Sequence, residues 1–387
     1  MRLKDVTEFC PTYTGKARSD TVAFVPMEAL RYDSISQQEI PFDEARGKYT
    51  FFADGDLLFA KVTPCFENGN IAVAKDLKGG IGFGSSEIFV LRAKPGLNNR
   101  YLFYVVQSSP FMDGGCATMC GVGGLKRMSP LFPRTFEWEI PNEKSQRRIV
   151  AYLDGKTAAI DAWVAVLEKK LAAYKRLKAS VINRAVTRGL DPKAKLKDSL
   201  IDIFGRMPIG WTVRQLKSIC TMAAGDNLAT EAIGEVGTYP VYGGNGQRGW
   251  YDQCNVGGTT VIVGRQGALS GNVHLVRGKI WATEHAVVTK CSHEVAAEYL
   301  YYNLGVMKLN RLALKCAAQP GLSVSDVLNQ FTVLPPLSEQ RAIADYLDAE
   351  CAKIDKMAEL VTREIELYKK LKRSLINEVV TGKRKVA

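Results

Sequence analysis

The chain has 387 residues, more than one ordinary domain accommodates, so two or more domains are expected. Lys and Arg outnumber Asp and Glu by 52 to 40, and the net charge of +12 suits either a polyanionic partner, nucleic acid above all, or a basic housekeeping protein. No run of about 18 apolar residues is present to span a membrane, the start MRLKDVTEFCPTY has no apolar signal core, and nine scattered cysteines read as reduced thiols of a cytoplasmic protein.

Residues 1–140 form the first expected domain. Three apolar segments read as strands, GDLLFAKVTP, NIAVAKD and SSEIFVLRAK, and the aromatic NRYLFYVVQ reads as a helix. A Gly-Leu loop and a last strand close the stretch in GGLKRMSPLFPRTFEWEIP.

Residues 141–189 read as a long helix. Ile160, Val164, Leu167, Leu171, Tyr174, Val181 and Ala185 fall on alternating four- and three-residue steps, the spacing of one apolar seam. Residues 190–207 follow as a polar, basic linker within RGLDPKAKLKDSLIDIFGRMPIG, which leads to Trp211.

Residues 208–334 repeat the order of the first domain with different residues. GTTVIVGRQG, NVHLVRG and TEHAVVTKC are the strands, AEYLYYNLG the helix, and PGLSVSDVLNQFTVLPP the loop and last strand. Residues 335–387 then return to the first long helix. Pro141, Gln146, Arg147, Ile149, Tyr152, Leu153 and Asp154 match Pro335, Gln340, Arg341, Ile343, Tyr346, Leu347 and Asp348, and Ile160-Asp161 matches Ile354-Asp355. About two positions in five are identical without a gap, the mark of an internal duplication.

The second seam is Ile354, Ala358, Val361, Ile365, Tyr368, Leu375 and Val379, and Lys178 and Lys372 interrupt the two seams at the same place. Neither helix buries its seam alone. The partner is the other copy or, alternatively, each helix's own domain. In LPPLSEQR, Ser338 is a candidate N-cap, and a short helix through Tyr346 and Leu347 is expected to turn into the long one near Asp355. Arg147 and Arg341 read as solvated or capping charges.

Catalytic signatures are missing. YGGNGQRG lacks the Gly-Lys-Ser/Thr of a phosphate loop and reads as a turn. There is no Asn-Pro-Pro-aromatic stretch for base methylation and no Pro-Asp dipeptide of a nuclease motif. Cys116 and Cys120 form one unsupported pair, and His274, His285 and His293 complete neither a zinc site nor a nucleophile's base.

Two diverged domains, each followed by a copy of one helix, resemble the specificity subunit of type I restriction–modification systems. LPPLSEQRAIADYLD with Ile354-Asp355, its degenerate copy at 141–161, YPVYGGNGQRGWYD and GDLLFAKVTP carry the resemblance. The first copy departs from it, with NEKSQRR where the second has PLSEQRA. The implied fold class is α/β (α+β): two target-recognition domains of mixed strands and helices, separated by two long antiparallel coiled-coil helices with pseudo-two-fold symmetry. The implied partners are double-stranded DNA, two modification (methyltransferase) subunits and, where present, restriction (translocase–nuclease) subunits. Catalysis resides in those other chains, so no enzyme activity, cofactor, metal or membrane is expected of this one. About 26 residues, Asp161 to Val186, make a rod of roughly 40 Å, a little more than the ~34–36 Å of one duplex turn. The helices thus suit a ruler for the gap between two half-sites.

Candidate DNA contacts follow from matching positions. Lys61 and Arg265 come after matching strands, Lys126, Arg127, Gln319 and Ser323 flank the Gly-Leu loops, and Tyr242, Asn245 and Arg248 lie in the glycine-rich turn. Arg and Lys grip guanine edges or phosphates, Gln reads adenine, and Ser is permissive. Each has an alternative reading as a solvated or turn-stabilising side chain. The rival functions are a coiled-coil protein scaffold, or an enzyme acting on nucleic acid through a site with no recognised motif.

Overall fold

The strand Leu57–Ala60 is buried at all four positions because both of its faces are covered. Leu57 and Phe59 enter a core with Leu102 and Phe103, while Leu58 faces the other way into a core with Val25 and Phe52. The same alternation recurs in Thr259–Gly264: Val261 and Val263 join one core and Ile262 another. In the computed structural model these strands belong to two compact units, Met1–Glu168 with Arg363–Ala387, and Lys169–Thr362. Residues 1–15, 20–122, 124–267, 269–313 and 321–386 are described.

In the first unit, β1 (Thr7–Phe9), β2 (Thr21–Val25), β3 (Gln38–Pro41), β4 (Thr50–Ala53), β5 (Leu57–Ala60), β6 (Ile71–Val73), β7 (Ile81–Gly84) and β8 (Ile88–Ala93) build two sheets. One is antiparallel in the order β1-β8-β5-β6. The other runs β3-β2-β7-β4, with β2 and β7 parallel. Helix α1 (Asn99–Val105) follows, its start fixed by the Asn98 side chain, which accepts from the Arg100 and Tyr101 N–H groups. Then comes the long helix α2 (Glu143–Arg188).

The second unit repeats this plan with β9 (Cys220–Ala224), β10 (Tyr239–Gly243), β11 (Gly246–Tyr251), β12 (Thr259–Gly264), β13 (Val273–Arg277), β14 (Trp281–Ala282) and β15 (Ala286–Cys291). Its two larger sheets are β9-β15-β12-β13 and β11-β10-β14, again with one parallel pair, β10 and β14, and Thr212–Gln215 pairs with Phe331–Leu334 in a smaller one. Helix α3 (Ala297–Val306) and the first part of the long helix α4 (Leu337–Val380) complete it. The fold is therefore mixed α+β with two long helices. The plainest difference lies in one connection: β10 and β11 are joined by a two-residue turn, Gly244-Asn245, whereas residues 26–37 intervene between β2 and β3.

Each unit contains a stretch of both long helices, and there the two run antiparallel. In the first unit Asp161 pairs with Lys372 at 2.6 Å and Glu168 with Lys369 at 3.4 Å. In the second, Lys178 pairs with Asp355 at 2.6 Å. The lysine that interrupts each seam thus meets the aspartate of the other copy's Ile-Asp. Val164, Leu167, Ala185, Ile354, Val361, Ile365, Leu375 and Val379 are buried, and Ile160, Leu171, Tyr174, Val181, Ala358 and Tyr368 are half-buried.

Three details differ from the sequence reading. α4 runs unbroken from Leu337, so no short helix precedes a turn near Asp355. Ser338 lies inside its first turn rather than capping it, because the Gln340 N–H already bonds the Pro336 carbonyl. The last strand expected before Pro141 is not formed: Leu131–Thr135 is a short helix, and beyond it Glu137 makes an isolated bridge to Arg2.

Candidate nucleic-acid interface

Three of the candidate cations of the first unit, Lys61, Lys126 and Arg127, meet where β5 ends. The Lys61 N–H donates to the Glu87 carbonyl at 3.0 Å, and the Lys61 carbonyl accepts from the Met128 N–H at 2.8 Å. Cys120 and residues 124–127 return to this point. Arg127 and Cys120 exchange both backbone hydrogen bonds, and the Thr63 hydroxyl accepts from the Lys126 N–H at 3.0 Å while donating to the Gly124 carbonyl at 2.9 Å. Gly121 is required there, since a Cβ would stand 2.3 Å from the Leu125 carbonyl oxygen. Lys126 and Arg127 are exposed, and Lys61 is half-buried with its ammonium 5.4 Å from the Phe89 ring. Arg127 is held by the Glu87 carboxylate through Nε at 3.1 and 3.2 Å and through Nη2 at 3.0 Å.

The second unit makes the same backbone junction from other residues. The Arg265 N–H donates to the His285 carbonyl at 3.0 Å, and the Arg265 carbonyl accepts from the Leu322 N–H at 2.7 Å. Val62 bridges Arg127 in one unit, and Gln266 bridges Gly321 in the other. Lys61, Glu87 and Arg127 thus correspond to Arg265, His285 and Gly321. His285 Nε2 lies 3.0 Å from the Glu284 carboxylate. The β10–β11 turn packs on the end of β12: the Gly244 carbonyl lies so close to Gly264 that a Cβ there would be 2.0 Å away. This brings Asn245, which accepts from Asn272 at 3.1 Å, beside Arg265. The glycine-rich stretch is a hairpin turn, as its composition suggested.

The remaining candidates divide. Arg248 is exposed on β11, and Tyr242 packs against the core of Ile262 and Val288. The Ser323 hydroxyl accepts from the Asp326 N–H as the N-cap of Val324–Leu328 and bonds Ser325 at 2.8 Å. Gln319 lies outside the described residues. The two Gly-Leu dipeptides are not equivalent: Leu322 matches Met128, both buried, whereas Leu125 is exposed. Glu87, Gln266 and Asn272 escaped the sequence reading, their only signal being a polar residue at the edge of a buried strand, and His285 enters that reading only as a metal ligand or base.

The duplicated motif ties each head to its helix. Gln146 is fully buried; it accepts from the Asn98 N–H at 2.7 Å and donates to the Gly96 and Pro141 carbonyls at 2.9 Å. Gln340, also fully buried, accepts from Ala296 at 2.9 Å and donates to Glu294 at 3.0 Å and Pro335 at 2.9 Å. The Tyr104 hydroxyl donates to Asp154 at 2.6 Å and that of Tyr302 to Asp348 at 2.7 Å. Burial, then the neighbouring aspartate, pushes both phenols up, so they remain protonated donors. The neighbouring Arg147 and Arg341 are exposed, and Arg147 pairs only with Glu143 one turn away. Among the described residues no group of three or more His, Cys, Asp or Glu could hold a metal ion, and no helix is long and apolar enough to cross a membrane.

Residues 208–366 match the family described as Type I restriction modification DNA specificity domain. The chain is 38% identical over 152 residues to the type I restriction enzyme EcoEI specificity subunit of Escherichia coli, a match covering 38% of this chain and 26% of that protein. It is 37% identical over 139 residues to the EcoprrI specificity subunit of the same organism, covering 35% of this chain and 34% of that one. The matches therefore span about a quarter to a third of these relatives' lengths. Among solved structures, a chain described under complex assembly and conformational transition of the type I R-M system matches 99% of this chain and 97% of its own, with TM-score 0.76 and 19% identity. The HsdS subunit of Thermoanaerobacter tengcongensis matches 99% and 96% with TM-score 0.51 and 20% identity. At these identities the likeness shows the fold.

Proposed function

We propose that this chain, a member of the type I restriction–modification specificity family, selects the DNA sequence on which a larger complex acts and catalyses nothing itself. Each head reads one half of a bipartite, asymmetric site in double-stranded DNA, and α2 with α4 sets the unread gap between the halves. The observation that carries this reading is the repeated junction at the ends of β5 and β12. Its backbone hydrogen bonds recur, while the side chains mounted on it change from Lys, Glu and Arg to Arg, His and Gly. A fixed frame with exchanged polar side chains suits two different base sequences. It gives no advantage to a scaffold binding the same protein twice.

The long helices supply the docking surface for partners. Beside the buried seam, Trp163, Val166 and Leu177 on α2 are exposed, and so are their counterparts Met357, Leu360 and Leu371 on α4. An apolar stripe duplicated in this way suits two copies of one partner, the modification (methyltransferase) subunits, through which restriction subunits are recruited. The chain needs no cofactor of its own and works in the cytoplasm, where its DNA lies.

The test is a binding titration on a randomised duplex library with modification subunits present. The account expects enrichment of a two-part sequence and affinity that falls steeply with salt. Sequence-independent binding, or none, favours the scaffold. Lengthening α2 and α4 together by a turn should widen the gap and leave both half-sites unchanged; an unchanged gap contradicts the ruler.

A further inference from the structure

Glu87 and Arg127 sit forty positions apart in sequence and pair in the first junction, where the second has His285 and Gly321 instead. The Glu87 carboxylate occupies the Nε–Nη2 edge of the guanidinium. That leaves the Nη1–Nη2 end of the fork facing outward, and among the described residues no acceptor is paired with Nη1. The backbone beneath is pinned on both sides, by the exchange with Cys120 and by the Thr63 hydroxyl on Lys126. Such an arginine is a directional donor pair with its rotamer settled before DNA arrives. Its charge is already matched by a carboxylate, which makes it a poor phosphate counterion and a good base reader.

Resting on the specificity reading above, we propose that Arg127 reads a guanine in the half-site of the first head through its Nη1–Nη2 fork, and that Glu87 is the residue that positions it. The acceptors are the guanine N7 and O6, which lie side by side on the major-groove edge at the spacing of that fork. Among the described residues Lys61 and Lys126 have no such partner, and they contribute through phosphate. In the second head no base pair is read in this way at the equivalent position, because Gly321 has no side chain to offer.

The experiment maps methylated sites made by the full chain with its modification subunits, for the parent, Arg127→Lys and Glu87→Gln. Both variants keep the side chain's bulk at a partly exposed position, and thermal melting checks that each is folded. The proposal expects discrimination at one G·C pair of one half-site to fall about 10- to 100-fold in both variants, with the other half-site unchanged as the internal control. The salt dependence of binding should stay as in the parent for Arg127→Lys, whose charge Glu87 still matches, whereas Lys126→Ala should lower its slope by about one. A site-specific parent whose folded variants keep the same consensus overturns this proposal alone. Relaxation by Arg127→Lys but not by Glu87→Gln overturns the positioning role of Glu87. No site-specific methylation by the parent overturns the specificity reading, and this proposal with it.

Discussion

Where each head meets its helix, the two units agree atom for atom; at the far edge of that contact they part. Gln146 and Gln340 make the same three hydrogen bonds, and Asp154 and Asp348 receive the same tyrosine. In the second unit the linker then covers the joint. Trp211 is 1% exposed in a core with Phe204, Met207 and Ile343, and its indole N–H donates to Glu339 at 2.9 Å. In the first unit the corresponding region is an open cavity of about 350 Å³ lined by Tyr101, Trp138, Ile149, Val379 and Gly382. Glu139 stands exposed at the position where the second unit buries Val333 completely. The comparison separates what mounting a head requires, which is repeated, from what stabilises one particular head, which is not.

That contrast is sharpest at Trp211. Trp211→Ala should remove about 3–5 kcal/mol from the second unit, since it empties a core site and orphans a carboxylate contact. Hydrogen exchange read unit by unit should show lost protection in Lys169–Thr362 and none in the first unit. Equal loss in both would break the distinction drawn here.

A smaller and symmetric effect is expected at the mounts. Gln146→Leu and Gln340→Leu each leave a buried N–H and carbonyls without partners, costing about 1–3 kcal/mol per orphaned group. Denaturant titration of the two variants should give similar losses. A large loss in one and none in the other would mean that the repeated hydrogen bonds are not equally used.

The smallest effect separates the reciprocal lysines. Lys372 is 12% exposed, pairs with Asp161 and lies 3.9 Å from the Tyr32 ring, whereas Lys178 is 35% exposed and pairs with Asp355. Lys372→Met should therefore cost about 1–2 kcal/mol and Lys178→Met about 1 kcal/mol or less. The difference in melting temperature between the two variants measures what Tyr32, from the segment between β2 and β3, adds to the first unit.

The sequence made the repeated parts legible because they obey local rules. A seam at three- and four-residue steps and strands between glycine-rich turns follow from periodicity, and both long helices and most strands stand where that pattern put them. The repeat also showed that Gln-Arg and Ile-Asp matter, and charge rightly put the arginine in solvent, but spacing cannot tell that the glutamine is inward. Gln146 turned out to be buried and Arg147 solvated. What stayed hidden depends on contacts between distant residues. Glu87 meets Arg127, Gln340 reaches Glu294, and Leu322 rather than the residue after the first Gly-Leu glycine matches Met128. No local pattern encodes these pairings, and in diverged heads the residues that make them differ.

The central claim, that two heads on one duplicated mount read two different half-sites, is tested most directly by sequencing methylated bases in DNA from cells carrying this chain and the proposed modification subunits. The account predicts one asymmetric, two-part target with a fixed unread gap. A single uninterrupted motif, a palindrome of identical halves, or methylation without sequence preference would contradict it.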